Sequence, residues 1–218
     1  ELLNIVKDYQ IPVVFASGYI SDPEISCVTV DNVAAAYDVI EYLCKAGHKE
    51  IAFIKGPDLD LLASHERLRG VKLALRLSNI KYDSNKFIEG DFTFESGYSA
   101  AEKILDRFPD TSAIFAFNDE MAVGAMRYLK EQGIEVPADI SVVGFDGIEL
   151  GKYTNPSLTT VEQSGYKLGL KSIELLNKII KGEEVEDNKV FIPHKFVVRE
   201  STNQINPISS DKEVLAEK

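Results

Sequence analysis

Cysteine, histidine and tryptophan are scarce in this sequence of 218 residues, which has two cysteines, three histidines and no tryptophan. Cys27 and Cys44 are too few for a disulfide framework, and we expect both to be small hydrophobic side chains in a reducing compartment. The histidines are His48, His65 and His194. They are scattered without the spacing of metal ligands, so the sequence predicts no metal site.

Basic residues and long apolar runs are also lacking. The chain carries 24 Lys and Arg against 35 Asp and Glu, a net charge of -11, which argues against a nucleic-acid-binding surface in this chain. No apolar run approaches the roughly 18 residues of a membrane-spanning helix. Residues 1–10 form an amphipathic helical pattern rather than a signal peptide. We therefore expect a cytoplasmic protein that makes no contact with a membrane.

The signatures of common enzymes are missing as well. The segment from Gly147 to Lys152 has three residues between its glycines, whereas a phosphate-binding P-loop has four and ends in Ser or Thr. The pair His65-Glu66 lacks the second histidine of a zinc protease, because Arg69 occupies that position. The sequence has no nucleophile elbow and no dinucleotide-binding glycine motif. These absences disfavour an enzyme, and we expect no cofactor.

The most informative stretch runs from Ala113 to Gly124. It opens with an apolar run typical of a buried strand and turns polar at Asn118 and Asp119, where a helical pattern begins. Asn is a good N-cap, and acidic groups suit the positive end of a helix. Ligands of open α/β sheets bind at the carboxyl ends of the strands. Asn118 therefore either caps the helix or contacts a ligand, and we interpret Asp119 as mainly a cap.

The same alternation of strand and helix recurs along the chain. Short apolar runs predict strands, and helical periodicity of apolar residues predicts helices. The predicted strands are 12–16, 27–30, 51–54, 87–88, 113–117, 140–145, 158–161, 189–192 and 196–199, and the predicted helices are 32–45, 65–78, 95–107, 119–133 and 164–181. Strands that alternate with such helices predict an α/β fold with parallel sheets.

A set of short motifs occurs in a characteristic order. The motifs are Val30-Asp31-Asn32, Gly47-His48, Gly56-Pro57, Arg67 to Gly70, Gly90-Asp91-Phe92, Phe117 to Ala122, Pro137 to Asp146, and Pro156 to Val161 with Gln163. Each motif alone is weak. Together, from about Ile11 to Thr202, the set resembles the effector domain of the lactose-repressor (LacI/GalR) family of bacterial transcription regulators.

The resemblance implies a periplasmic-binding-protein-like fold of type I, with two parallel-sheet lobes joined by three crossovers. These would fall near residues 30–31, 161–163 and 193–195. Residues 1–30 plus 162–193 would form a partial N-terminal lobe, and 31–161 plus 194–202 the C-terminal lobe. We expect 203–218 to be a mobile tail. Relative to the family, we expect the helix-turn-helix domain and the first units of the N-terminal lobe to be absent from this chain.

The resemblance also implies a sugar site in the cleft between the lobes. A sugar needs planar hydrogen-bonding groups and an aromatic platform. The matching positions are Arg67, Phe92, Asn118, Asp146, Gln163 and Asp31. Simpler interpretations exist for three of them: a surface side chain for Arg67, core packing for Phe92, and helix capping for Asp31, which is the safer choice.

The function implied is effector sensing. A small, sugar-like metabolite would alter operator binding by a helix-turn-helix domain outside this chain. The family acts as homodimers, and Ile148, Leu150 and Tyr153 place apolar groups in an otherwise polar loop, as an interface would. They would otherwise fold back on their own lobe. The alternative is the solute-binding protein of a sugar transporter, which shares the fold.

Overall fold

The structure is a computed structural model that describes residues 5–6, 8–17, 22, 24–57 and 62–205. Half of the helix predicted at 1–10, residues 1–4 and 7, lies outside these residues. The described strands are β1 (Val14–Ala16), β2 (Ser26–Val30), β3 (Ile51–Lys55), β4 (Phe87–Glu89), β5 (Ala113–Ala116), β6 (Ser141–Asp146), β7 (Thr159–Glu162), β8 (Lys189–Ile192) and β9 (Lys195–Val197). The helices are α1 (Asn32–Lys45), α2 (Leu62–Leu77), α3 (Phe94–Arg107), α4 (Asp119–Glu131) and α5 (Gly165–Lys181), with 3-10 turns at Ser84–Lys86 and Glu149–Lys152.

The strands form two sheets. The larger has the order β4-β3-β5-β6-β7-β9, and all its pairs are parallel except β7 with β9. The smaller has the order β1-β2-β8 and is parallel throughout. The chain passes between the sheets after β2, after β7 and after β8, since α5 packs on β1 and β2 whereas β9 pairs with β7.

Helices cover both faces of the larger sheet. The step from β3 to β4 runs in one direction along the sheet and the steps to β5 and β6 run in the other, so right-handed crossovers place α2 opposite α3 and α4. Accordingly, α1 packs on α2 and α3 on α4. Every residue of β5 is buried, and the core contains the fully buried rings of Phe115, Phe117 and Phe145, as expected for a central strand of a parallel sheet.

Side-chain caps fix where the helices begin. Asp31 accepts a hydrogen bond from the Ala34 amide at 2.9 Å, and Asn118 accepts one from Met121 at 3.0 Å. Thr93 and Ser164 cap α3 and α5 in the same way. At its other end, α5 stops at Gly182, whose φ of 69° is left-handed. Each cap fixes the position at which a strand gives way to a helix at the sheet edge.

Most predicted bounds agree with the structure within two residues, but the start of α2 and the extent of the tail need larger corrections. Helix α2 begins at Leu62, three residues before the predicted start at 65. Residues 203–205, which we placed in a mobile tail, are bonded to the body of the protein: the Asn203 amide donates to the Ser141 hydroxyl at 3.1 Å, and the Ile205 amide donates to the Ala46 carbonyl at 2.9 Å. The rest of that segment lies outside the described residues.

Candidate functional site

Asp146 ends strand β6 in a tight turn. Its φ is 110°, and that of Gly147 is 74°, conformations that residues with a side chain rarely adopt. A Cβ on Gly147 would lie 2.7 Å from the Cα of Glu162, so the turn presses against β7. The Asp146 carboxylate accepts a hydrogen bond from Nε2 of Gln163 at 2.6 Å, and its side chain is 35% exposed. The carboxylate therefore lies at the sheet edge, where a ligand can reach it.

Arg67 lies on α2 and points its guanidinium at this edge. Nη2 is 3.5 Å from Oδ1 of Asp146, and the guanidinium carbon lies 3.6 Å above the ring centre of Phe145. Nε donates to Oδ1 of Asn32 at 2.9 Å, and Nη1 donates to the Phe117 carbonyl. The side chain is 8% exposed. A guanidinium held on four sides is preorganised, which contradicts the surface interpretation of Arg67.

The ionisation of the Arg67 and Asp146 side chains is set by opposing effects. Burial lowers the pKa of Arg67 to about 10, although Asp146, Asp119 and Glu66 raise it. Burial raises the pKa of Asp146, whereas Arg67 and the Gln163 hydrogen bond lower it. Arg67 is therefore a cation at neutral pH, and it favours the acceptor form of the Asp146 carboxylate beside it.

Phe92 and Asn118 form a second contact. Nδ2 of Asn118 donates to the Phe92 carbonyl at 2.8 Å, while its Oδ1 caps α4. Phe92 has a φ of 68°, and a Cβ on Gly56 would lie 2.1 Å from its ring. The Phe92 ring also packs against the core. Asn118 thus caps its helix, and its amide retains one further N–H for a ligand. Since Phe117 accepts from Arg67 and precedes Asn118, the two contacts are adjacent.

The remaining predicted positions differ in their surroundings. Gln163 joins the cluster through Asp146, whereas Asp31 is exposed and caps α1. In the loop, the exposed fractions of Leu150 and Tyr153 are 53% and 75%, so these two side chains do not fold back on the lobe, and Ile148 is half-buried. The binding and interface roles of these residues stay predictions.

Sequence reasoning missed Asn32. This buried residue accepts from Arg67 and also places its Nδ2 3.4 Å from Oε2 of Glu66. Glu66 in turn pairs with Lys189 at 3.0 Å, which connects α2 to β8 in the smaller sheet. The available signal was the Asp31-Asn32 pair after a buried strand, which has the same form as Asn118-Asp119.

The interpretation of Asp119 as mainly a cap is wrong. Its side chain is fully buried, and its carboxylate accepts hydrogen bonds from the Ile148 amide at 2.8 Å and from the Thr160 hydroxyl at 2.5 Å. Burial raises the pKa of Asp119 to about 7, against the effect of the Thr160, Ile148 and Gly147 bonds. Asn118 supplies the cap instead, because its side chain is the one that reaches the Met121 amide.

Metal or membrane features are not found among the described residues. Within them, no three His, Cys, Asp or Glu side chains come together as a metal site. No helix in the same ranges is both long enough and apolar enough to span a bilayer. The edge of the larger sheet instead provides a cationic donor, Arg67, beside an acidic acceptor, Asp146, with the amide of Gln163 next to them, and this combination suits a hydroxylated organic ligand.

This chain is similar in sequence to a known protein domain and to known transcription regulators. The sequence model of the periplasmic binding protein-like domain matches residues 40–202. The chain is 37% identical over 194 residues to the HTH-type transcriptional repressor CytR of Escherichia coli strain K12, covering 89% of this chain and 57% of CytR. The chain thus spans little more than half the length of that relative.

Solved structures agree in fold. The complex of the transcriptional regulator CelR with cellobiose is 35% identical, with a TM-score of 0.87, over 92% of this chain and 62% of that one. A sugar-binding transcriptional regulator of the LacI family from Escherichia coli, complexed with phosphate, is 32% identical with a TM-score of 0.79, over 93% and 72% of the two chains. These matches confirm the predicted α/β fold of the periplasmic-binding-protein type.

Proposed function

Because the chain belongs to the LacI family of transcriptional regulators, we propose that it is an effector-sensing domain that binds a sugar or sugar derivative. The observation that carries this proposal is the pairing of Arg67 with Asp146 over the Phe145 ring. It supplies a rigid donor and a partly exposed acceptor at the carboxyl edge of a parallel sheet, where ligands of this fold class bind.

A sugar hydroxyl both donates and accepts, and the cluster offers a partner for each role. Arg67 donates and Asp146 accepts, the Gln163 amide serves either role, and Asn118 offers its remaining N–H as a donor. The ring of Phe92 offers an apolar platform for the sugar face. Asp31, an exposed cap, contributes at the margin of the site. A ligand hydroxyl that bridges Arg67 and Asp146 accepts a hydrogen bond from the guanidinium and donates one to the carboxylate.

We assign the two sheets to two lobes. The N-terminal lobe comprises 1–30 plus 162–193, and the C-terminal lobe comprises 31–161 plus 194–202. A sugar bound between them favours the closed arrangement. It alters the regulator's activity only through its difference in affinity for the two arrangements. The Glu66–Lys189 pair, which joins α2 of the C-terminal lobe to β8 of the N-terminal lobe, belongs to one of those arrangements.

The partners follow from the family. We propose a cytoplasmic homodimer that uses Ile148, Leu150 and Tyr153 in its interface. Operator DNA would be bound through a helix-turn-helix domain outside this chain, since the net charge of -11 disfavours DNA contact by the chain itself. The relatives are transcription regulators, which favours this reading over the solute-binding protein of a transporter and over an enzyme.

A panel of mono- and disaccharides, beginning with cellobiose, tests the proposal by thermal shift and calorimetry. We expect at least one sugar to raise the melting temperature of the chain, and we expect Asp146→Asn to abolish that shift. Asp110→Asn is the matched control, because Asp110 is an exposed acid. A panel without any hit, or a hit that Asp146→Asn binds as well as the parent, would overturn the proposal.

A further inference from the structure

The Asp119 carboxylate is a buried acid with a function that helix capping does not explain. It lies at the first residue of α4, where acids are normally solvated, and yet its side chain is fully buried. The neighbouring Glu120 is exposed and serves as the first-turn acid. A buried carboxylate has to be compensated by hydrogen bonds, and the donors that compensate Asp119 come from two other segments of the chain.

Those donors lie beside the proposed sugar site. Oδ2 of Asp119 accepts from the Ile148 amide at 2.8 Å, and Oδ1 accepts from the Thr160 hydroxyl on β7 at 2.5 Å. The Gly147 amide is a further donor to the same carboxylate. A Cβ on Gly144 would lie 2.2 Å from Oδ1. Strand β6 thus leaves space for this carboxylate at Gly144. From there the carboxylate binds the backbone of the turn that follows Asp146.

That turn requires external support. Asp146 and Gly147 are successive residues with φ of 110° and 74°, and a residue with a side chain holds such a conformation only when its surroundings enforce it. On one side the turn packs against Glu162, and Gln163 bonds to both the backbone and the side chain of Asp146. On the other side, the Asp119 carboxylate holds the turn by accepting the hydrogen bond from the Ile148 amide.

We infer that Asp119 is a positioning residue of the effector site: by holding the amides of Gly147 and Ile148, it fixes the backbone of Asp146 and hence the direction of its carboxylate toward Arg67. The role in sugar binding rests on the proposed function, whereas the role in positioning Asp146 does not. Asp119 itself does not contact the sugar, because it lies beneath the turn and is fully buried.

Amide hydrogen exchange without any sugar, at pH 8, tests the positioning. Asp119→Ala should speed exchange at Gly147 and Ile148 by roughly 10- to 100-fold, the equivalent of a lost hydrogen bond to a charged group. The β5 amides should be unchanged. Asp119→Asn, whose single neutral acceptor oxygen replaces a carboxylate, should show a smaller increase of roughly threefold to tenfold. Glu120→Ala and Glu120→Gln are matched controls, since Glu120 is exposed.

The outcomes separate the possibilities. Equal exchange at Ile148 in the Asp119 and Glu120 variants would overturn the positioning role, and faster exchange throughout β5 and β6 would mean a general loss of stability instead. If Asp119→Ala does not fold, the comparison of Asp119→Asn with Glu120→Gln decides. Titration with cellobiose then tests the sugar role: if the parent binds, weaker binding by Asp119→Asn is expected. If the parent does not bind cellobiose, the result counts against cellobiose as the ligand. The exchange data still decide whether Asp119 positions Asp146.

Discussion

Asn32 accepts a 2.9 Å hydrogen bond from Nε of Arg67, although the two residues are 35 positions apart in the chain. The bond joins the first residue of α1 to α2 and fixes the plane of the guanidinium. Because Nη1 and Nη2 point to Phe117 and Asp146, the orientation of Arg67 depends on all three partners. The sugar site that we propose is therefore built from backbone and side-chain contacts between several elements.

Replacement of Asn32 by Ala should weaken both stability and sugar binding. It leaves a buried guanidinium N–H without an acceptor, which typically costs about 1–3 kcal/mol of unfolding free energy. The loosened Arg67 should also lower sugar affinity by about tenfold. Urea denaturation and calorimetry measure the two effects. Asn177→Ala on the exposed face of α5 is the control: it should leave sugar affinity unchanged and should not lower stability, since Ala is the better helix former. Unchanged sugar affinity in Asn32→Ala would exclude this anchoring role.

Asp146→Ala should abolish most of the sugar affinity and preserve the fold. Truncation of one partner of a charged pair leaves Arg67 unpaired and removes the ligand's acceptor, a loss of roughly 2–4 kcal/mol in binding. Calorimetry with the sugar identified in the panel measures the loss, and circular dichroism checks the fold. Asp110→Ala is the control. Affinity within about twofold of the parent, well under 1 kcal/mol, would show that Asp146 does not bind the sugar.

Gly56 makes room for the Phe92 ring, and Gly56→Ala should displace it. The added Cβ would lie 2.1 Å from Cζ of Phe92, so the ring has to move, at a cost of about 1–3 kcal/mol in stability. Sugar affinity should fall with it if Phe92 is the platform. Gly169→Ala is a matched control: nothing lies within 4 Å of its Cβ, and in the helix it should stabilise by up to about 1 kcal/mol. Retained affinity in Gly56→Ala would remove Phe92 from the site.

Asp119 should make the protein less stable as the pH rises toward 7. Burial raises its pKa from 3.8 to about 7, so between these values the folded protein binds a proton that the unfolded chain has released. Stability therefore falls with rising pH, by at most about 1.4 kcal/mol per pH unit for one proton. Urea titrations at pH 5, 6 and 7 measure this slope, as unfolding free energies.

The comparison with Asp119→Asn isolates this contribution. The raised pKa of Asp146 gives a slope of the same sign, and His48, whose pKa is lowered by burial, gives the opposite sign. Both remain in the variant. The difference between the parent and Asp119→Asn should therefore fall as the pH rises through this range. A difference that is constant with pH would mean that the Asp119 carboxylate is ionised throughout.

The sequence predicts the strand and helix order because apolar runs and helical periodicity are local signals. It also predicts that Arg67 and Asp146 meet, because strand ends of one parallel sheet share an edge. It does not predict that Asn32 and Asp119 are buried. A polar residue after a strand has the same local sequence pattern whether it caps a helix or turns into the core. For Asp119 the outcome depends on its two tertiary hydrogen-bond donors, Thr160 and Ile148, which are distant in the sequence.

The exposed apolar side chains of the loop at residues 148–153 indicate the dimer surface that we propose. Tyr153→Asp should therefore weaken self-association. Tyr153 and Leu150 expose 75% and 53% of their surface beside the 3-10 turn at Glu149–Lys152. An isolated monomer gains little from such exposure, whereas burial in an interface at about 25 cal/mol per Å² stabilises a dimer. The carboxylate that this substitution introduces would be buried in that interface without a partner. The dissociation constant of the dimer should therefore rise by at least about tenfold.

Sedimentation equilibrium over a range of concentrations measures the dissociation constant of the parent and its variants. Leu77→Asp on α2 is the matched control, because Leu77 is 62% exposed and lies outside the proposed interface. It should associate like the parent. The Tyr153→Asp protein should remain folded, since its side chain contributes little to the core. If both variants associate equally, the interface lies on another surface. If the full-length regulator is itself a monomer, the homodimer assignment is wrong.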